Sequence, residues 1–288
     1  YLFGHRQPVL KLVFSKSEPR WLFISDHRVL GVSADNTVRL WDVGSPTSRT
    51  DDSMCLAKFT LPTDVGVPST LSVSYDLSTV IVGCDNGDMV RYDLSDKILV
   101  KLRQKMEQAK KQDAAEKWFN PMTVESTMTY PSGDEWHAGY VDDICILGQD
   151  GDTKNPLYNK VLSRGANDLE ILLWNPDEST PKDAEIEKSF DWPDSAECTG
   201  LRFKVVERED TKALIAGEYE GQIHIYNISD GKKSKMLDDG SMELFHPTTV
   251  LSHPKSSQLI RDVCCSTDTR TIVAVDNNNT AFVWTTVD

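Results

Sequence analysis

The chain has 288 residues, of which 39% are hydrophobic and 26% charged, and its formal net charge is −14. That length can bury a substantial core, and the balance of apolar and charged residues is that of a soluble globular protein. The acidic balance speaks against nonspecific binding to a nucleic-acid backbone, which needs a basic footprint, and for basic partners. No apolar run approaches the ~18 residues of a membrane span, and no signal-peptide pattern opens the chain.

In chain order, Tyr1-Leu2-Phe3 reads as a short outer strand, and the first strong element is SADNTVRLWDV at residues 33–43. A polar turn there leads into alternating Val38, Leu40 and Val43 around Trp41-Asp42, the pattern of a strand entered from a hairpin. With Trp41 as the ruler, Tyr92 closes CDNGDMVRYDL, Trp174 closes ANDLEILLWNP, Tyr226 closes YEGQIHIYNI and Trp284 closes NNNTAFVW, at intervals of 51, 82, 52 and 58 residues. Six residues before each aromatic stands a turn-forming or acidic residue: Asp35, Asn86, Asp168, Glu220 and Asn278. Upstream, His5 precedes Asp35 by 30 positions and His137 precedes Asp168 by 31. This Gly-His to Trp-Asp pattern resembles the WD-repeat family over nearly the whole chain. The resemblance implies an all-β propeller, with four-stranded blades around a central channel.

The 82-residue interval carries two insertions. Residues 96–119 are rich in helix formers, and Leu99, Leu102, Met106 and Ala109 recur at steps of three and four, which predicts a helix broken at Asn120-Pro121. Residues 120–136 then read as a connecting segment. The basic residues Lys101, Arg103, Lys105, Lys110 and Lys111 read as a solvated helical face, with contact to a phosphate or an acidic partner as the alternative. Residues 148–159 and 229–241 read as loops.

The cysteines at 55, 84, 145, 198, 264 and 265 form no CxxC pair and no zinc-like spacing with histidine, so they read as buried reduced thiols of an intracellular protein. Cys264 and Cys265 would point to opposite faces of a strand. His5, Ser33, Asp35 and Trp41 superficially offer a nucleophilic triad. Recurrence of the pattern as His137, Asp168 and Trp174 favours a structural hydrogen-bond network instead, since an enzyme has little use for two copies. The carboxylates Glu207, Glu209 and Asp210, like Asp238 and Asp239, read as solvated turn charges. No Gly-rich phosphate loop or metal motif is present, and no cofactor is expected.

The second half carries a more specific resemblance. WHAGYVDDICILG (136–148), VLSRGANDLEILLWNP (161–176), FDW followed by LRF (190–203), LIAGEYEGQIHIYNI (214–228) and TTVLSH leading into LIRDVCCSTDTRTIVAVDNN are similar, in order and spacing, to the EED / extra sex combs family. That resemblance implies a nuclear, noncatalytic subunit of Polycomb repressive complex 2. Its partners would be an Enhancer-of-zeste-type SET-domain methyltransferase and a Suppressor-of-zeste-type zinc-finger subunit, with the histone H3 tail as a further contact and no direct nucleic acid or membrane. The family presents an aromatic cage to trimethylated lysine, held by cation–π attraction. At the tandem cage positions this chain has Thr199-Gly200, which supply no π face. Arg202, Arg261 and Asn277 fall at the rim, where for the arginines bonding to neighbouring loop carbonyls or carboxylates and contact with a histone peptide stand as equal readings. Tyr219 and Trp192 are candidate replacement aromatics, with packing as the plainer role. Family members resemble seven-bladed propellers, so five repeats predict a further part upstream of Tyr1. Alternatives to the scaffold are a freestanding histone-tail or methyl-lysine reader and a generic WD-repeat adaptor.

Overall fold

The computed structural model describes residues 9–26, 37–43, 54–109, 121–133, 136–166, 168–192, 199–208, 212–266 and 268–286. Its chain divides into two compact units, Tyr1–Trp136 and His137–Asp288. Strands Val9–Phe14 (β1), Trp21–Asp26 (β2), Thr37–Asp42 (β3) and Met54–Thr60 (β4) make a first antiparallel meander, and Pro68–Val73 (β5), Thr79–Cys84 (β6) and Met89–Asp93 (β7) make a second. After the helix Asp96–Ala109 (α1), Met122–Val124 (β8) returns to the first sheet parallel to β4, and Met128–Tyr130 (β9) completes the second, antiparallel to β7. Residues 120–136, expected as a plain connection, thus contribute two outer strands.

The second unit repeats this path. Val141–Ile146 (β10), Val161–Gly165 (β11), Glu170–Trp174 (β12) and Ile186–Asp191 (β13) form the third sheet. Phe203–Glu207 (β14), Lys212–Gly217 (β15) and Ile223–Asn227 (β16) open the fourth. Leu244–Phe245 (β17) then goes back to lie parallel on β13, and Thr249–Leu251 (β18) closes the fourth sheet against β16. Ile260–Cys265 (β19), Thr271–Asp276 (β20) and Ala281–Thr285 (β21) are the strands of the fifth sheet among the described residues. Tyr1-Leu2-Phe3 lies outside them.

All five marker aromatics fall on the third strand of a sheet and face an apolar residue of the second: Trp41 on Leu22, Tyr92 on Val80, Trp174 on Val161, Tyr226 on Leu214 and Trp284 on Ile272. Tryptophan and tyrosine alternate along this series, and both tyrosines bond the preceding sheet. The Tyr92 hydroxyl donates to the carbonyl of Thr60 at 3.0 Å, and the Tyr226 hydroxyl donates to the carbonyl of Asp191. Thr60 and Asp191 end β4 and β13, so each phenol bonds the preceding sheet at the strand covered by a parallel neighbour. Phe59 meets Tyr92 edge-on at 5.2 Å, and Phe190 meets Tyr226 at 5.5 Å, beside the same joints. In the fifth sheet the Trp284 indole makes the corresponding reach, donating to the carbonyl of Ser252 just past β18 at 3.4 Å.

Helix α1 begins with Asp96 in its first turn, where a carboxylate complements the helix dipole. Leu99 and Leu102 are buried and Met106 is half-buried in the core of the first two sheets, which accounts for three of the four stripe residues. Arg103 pairs with Glu18 at 3.0 Å, and burial holds Lys105 below the ordinary lysine range, so part of the basic face is spent on the fold. Lys110 and Lys111 lie outside the described residues. Among the described residues five cysteines form no disulfide, and no helix is long and apolar enough to cross a membrane. Cys55 and Cys84 are buried as expected, but Cys145 and Cys265 are half-buried at the margin of their apolar clusters, and Cys264 is exposed because its strand position faces outward.

Substituting Tyr226→Phe keeps the ring and removes only the phenol. Loss of that bond to the Asp191 carbonyl should lower the unfolding free energy by about 1–2 kcal/mol in urea titrations, and Tyr92→Phe should do the same through Thr60. Midpoints equal to wild type for both would show that the joints carry no stability.

Candidate functional site

Four of the five sheets begin with the same irregularity. The pairing of first and second strands skips one residue between Val9 and Lys11, Pro68 and Thr70, Val141 and Asp143, and Ile260 and Asp262. A bulge re-aims the extra side chain. In the third and fifth sheets the extra residues are Asp142 and Arg261, and both turn toward the loop at Thr199–Arg202.

Asp142 is buried, and its carboxylate pairs with Arg164, itself fully buried on β11. Its other oxygen accepts the Gly200 N–H at 2.5 Å. The Arg164 guanidinium lies 4.5 Å from the centroid of the Trp192 ring, and the Trp192 indole donates to the Gly217 carbonyl at 2.8 Å. Trp192 is therefore a fully buried packing residue. Next to this pair Asp143 lies 3.6 Å from Arg202. Arg261 donates through Nε to the Asn277 side-chain oxygen and through a terminal nitrogen to the Thr199 carbonyl, both at 2.8 Å, while the Arg202 N–H reaches the Arg261 carbonyl at 3.3 Å. The structure thus brings Thr199, Gly200, Arg202, Arg261 and Asn277 into one network. Both arginines bond neighbouring loop carbonyls or carboxylates.

Tyr219 stands apart from this network at the β15–β16 turn, 55% exposed. The turn is held by Glu218, whose carboxylate accepts the N–H groups of Glu220 at 2.7 Å and Gln222 at 2.6 Å. Of the candidate positions, Thr199 and Gly200 carry no ring, Trp192 is enclosed and Tyr219 is exposed on its turn.

The third sheet also contains the network expected around Trp174. Its indole donates to Ser163 Oγ at 2.9 Å, the Ser163 hydroxyl meets His137 Nε2 at 2.8 Å, and His137 Nδ1 bonds Asp168. Ser163 and His137 are fully buried, so this hydroxyl meets no substrate and serves as a link from the loop at His137 to the hairpin. Burial pushes the Asp168 carboxyl up, but the His137 hydrogen bond and charge, the Ala138 N–H and the Arg164 charge outweigh it and hold Asp168 below the usual carboxylate range. Gly165 is required, because a Cβ there would stand 2.5 Å from Asp168 Oδ2 and 2.9 Å from His137 Cβ.

Sequence reading of the network found His137, Asp168 and Trp174 but missed Ser163. In register, Ser163 lies two residues past the partner of the third-strand aromatic. The same position is Ile24, Val82, Ala216 and Ala274 in the other sheets, none of which carries a hydroxyl. Trp41 is fully buried against Leu22, Ile24 and Cys55. His5, Ser33 and Asp35 lie outside the described residues. Asp142, Asp143 and Arg164 were also missed, although two carboxylates inside an apolar strand and an arginine in the next one signal a buried pair. Glu207, read as a solvated turn charge, instead accepts the N–H groups of Gly148 at 2.8 Å and Gln149 at 3.0 Å, because β14 brings it to that turn. Glu209 and Asp210 lie outside the described residues. Among the described residues no group of three His, Cys, Asp or Glu side chains is placed to hold a metal ion.

Repeated antiparallel sheets with aromatic third strands, a Trp–Ser–His–Asp link and a helical insertion give the fold class of a β-propeller. The family described as WD domain, G-beta repeat matches residues 1–42. No curated protein matches the chain. Among solved structures it is similar to a chain of a humanized mutant of the Chaetomium thermophilum Polycomb Repressive Complex 2 bound to an inhibitor, with a TM-score of 0.70 at 12% identity over 99% of this chain and 73% of that one. It is similar to a chain of an active polycomb repressive complex 2 in the basal state, at TM-score 0.70 and 11% identity over 99% and 74%. A chain of ctPRC2 in complex with H3K27me3 and H3K27M gives 0.69 and 11% over the same shares. At such identity the likeness is one of fold, and it matches the fold of the family that the sequence resembles.

Asp142→Ala would strand the buried Arg164 charge and free the loop at Gly200, and should cost about 3–5 kcal/mol of unfolding free energy. A loss under ~1 kcal/mol, the size of an exposed pair, would contradict the buried geometry. For Asp168 the folded carboxyl titrates below its unfolded value. Its contribution is therefore complete above the unfolded carboxylate range and is lost as pH falls through the lower folded value. The stability gap between wild type and Asp168→Asn should shrink on acidification in denaturation curves, and a gap constant with pH would refute the pairing.

Proposed function

We propose that this chain is a noncatalytic WD-repeat scaffold of a Polycomb-type histone H3 lysine methyltransferase assembly, acting in the nucleus in gene silencing. It would hold an Enhancer-of-zeste-type SET-domain subunit in its active conformation, alongside a Suppressor-of-zeste-type zinc-finger subunit. The observation that carries this reading is the likeness in fold, over 99% of the chain, to chains of solved Polycomb repressive complex 2 structures. The buried Ser163–His137–Asp168 link supports a structural role in place of a nucleophilic one. A net charge of −14 suits basic partners.

The rim argues for a scaffold over a methyl-lysine reader. A quaternary ammonium is held by several aromatic faces, and the positions facing Asp142 and Arg261 are Gly200 and Thr199. Arg202, Arg261 and Asn277 bond one another and the neighbouring loop, so contact with a histone H3 tail would have to displace bonds already made. Any gain in methyltransferase activity then comes from holding the catalytic subunit.

The test is copurification of the full-length protein with Enhancer-of-zeste-type and zinc-finger subunits, followed by a methyltransferase assay with and without trimethylated histone H3 peptide. A stable complex whose activity does not respond to the peptide is expected. Peptide stimulation would restore the reader role, and absence of a complex would return the chain to the generic WD-repeat adaptors.

A further inference from the structure

Between β16 and β18 the chain leaves the fourth sheet and fastens itself along the outer edge of β13. Ser234 is the centre of that attachment. Its N–H donates to the Glu187 carbonyl at 2.7 Å, its Oγ accepts the Ser189 N–H at 3.0 Å, and its hydroxyl donates to the Glu243 carbonyl at 2.8 Å. Past Ser234 the segment doubles back, with the Glu243 N–H on the Lys235 carbonyl and the Leu237 N–H on the Ser241 carbonyl, each at 2.8 Å. The serine thus closes the base of a small exposed hairpin. Buried Lys188 reaches out to Asp230 and lies 5.0 Å from the centroid of the Phe245 ring, and Lys233 spans Glu185 and Glu187 at 3.5 and 3.4 Å. Strand β17 adds only two residues of ladder, Leu244 and Phe245, so side-chain bonds, that of Ser234 Oγ among them, share the hold on β13.

The residues around it are Gly231-Lys232-Lys233-Ser234-Lys235, with all three lysines exposed. A hydroxyl set among lysines on an exposed loop is complementary to a kinase whose peptide groove is acidic. We propose that Ser234 is a phosphorylation site for a basic-directed serine kinase, and that its phosphate releases residues 229–246 from the edge of the third sheet. The γ-phosphoryl group of ATP passes to Ser234 Oγ: the new O–P bond forms as the bond to the β-phosphate oxygen breaks, ADP leaves, and the hydroxyl proton goes to the kinase base.

Release follows from the geometry. A phosphoester oxygen has no proton to give the Glu243 carbonyl, which opens the base of the hairpin, and release from β13 comes from the added charge of about −2 beside Glu185 and Glu187, whose Lys233 counter-charge it would compete for. Half-buried with its hydrogen bonds made, the hydroxyl reacts from the open form of the loop, and the phosphate then traps that form. What opens is the β13 edge, with the Ser189 N–H and the Phe190 region uncovered.

To test this, the full chain is incubated with ATP and a purified basic-directed serine kinase, the phosphate is located by mass spectrometry, and amide hydrogen exchange is compared before and after. Phosphate on Ser234, with exchange at Ser189 and Leu244–Phe245 faster by about tenfold or more, is expected. Ser234→Ala should carry no phosphate at that position, and Ser234→Asp should speed the same amides without kinase. No phosphate on Ser234 overturns the site, and phosphate there with unchanged exchange overturns the release.

Discussion

A phenol hydrogen-bonded to a carbonyl at the end of a strand is the joint on which the rest of this architecture depends. A four-stranded meander buries its faces against neighbours, but its last strand still presents unpaired backbone groups at the edge. In both units the chain solves this identically. The third strand of one sheet sends a tyrosine hydroxyl to the end of the fourth strand of the sheet before it, and a two- or three-residue parallel strand covers the same edge. The phenylalanine next to the bonded carbonyl packs edge-on against that tyrosine, so hydrogen bond and aromatic contact fix one geometry together. Side-chain bonds then secure the joint: Thr60 to Glu125 at 2.9 Å in the first unit, Asp191 to His246 at 2.9 Å in the second.

From that joint follows the division between what is fixed and what varies. The excursion leaving β7 becomes helix α1 with a buried stripe, whereas the one leaving β16 becomes a polar, exposed hairpin. Both return to the same place on the preceding sheet. The sheets impose where the excursion must end and leave its interior to be chosen for other purposes, whether core in one case or a detachable polar clasp in the other.

The sequence showed the skeleton of this plan and little of its fastening. Third-strand aromatics were legible because a large apolar residue recurs after a turn residue at a fixed offset, and the helix was legible from Leu99, Leu102 and Met106. Strands β8 and β17 were not, since two or three residues cannot display a period of two. Bulges were equally hidden: the extra residue at Asp142 or Arg261 is defined only by which residue it faces on the next strand. Arg202, Arg261 and Asn277 come together because Arg202 immediately precedes β14, Arg261 sits at the bulge near the start of β19, and Asn277 follows β20, the partner of β19. Asp142 and Arg164 escaped because their relation spans two strands and is fixed by register. Packing, the plainer reading of Trp192, is the role it has beneath the buried Arg164.

A buried ion pair is weak as a source of stability, because desolvation cancels much of the attraction. Its value here is positional. Asp142 divides its oxygens between Arg164 and the Gly200 amide, and Arg164 in turn covers Trp192, whose indole bonds the end of β15. One carboxylate therefore sets the third sheet, the loop at Thr199–Arg202 and the start of the fourth sheet in register, and the Thr199 carbonyl so placed receives Arg261 from the fifth. A surface built this way is rigid because its polar groups are already committed to each other. That suits a face that must keep its shape while a larger partner is held, and it explains why charged residues at a rim need not be binding residues.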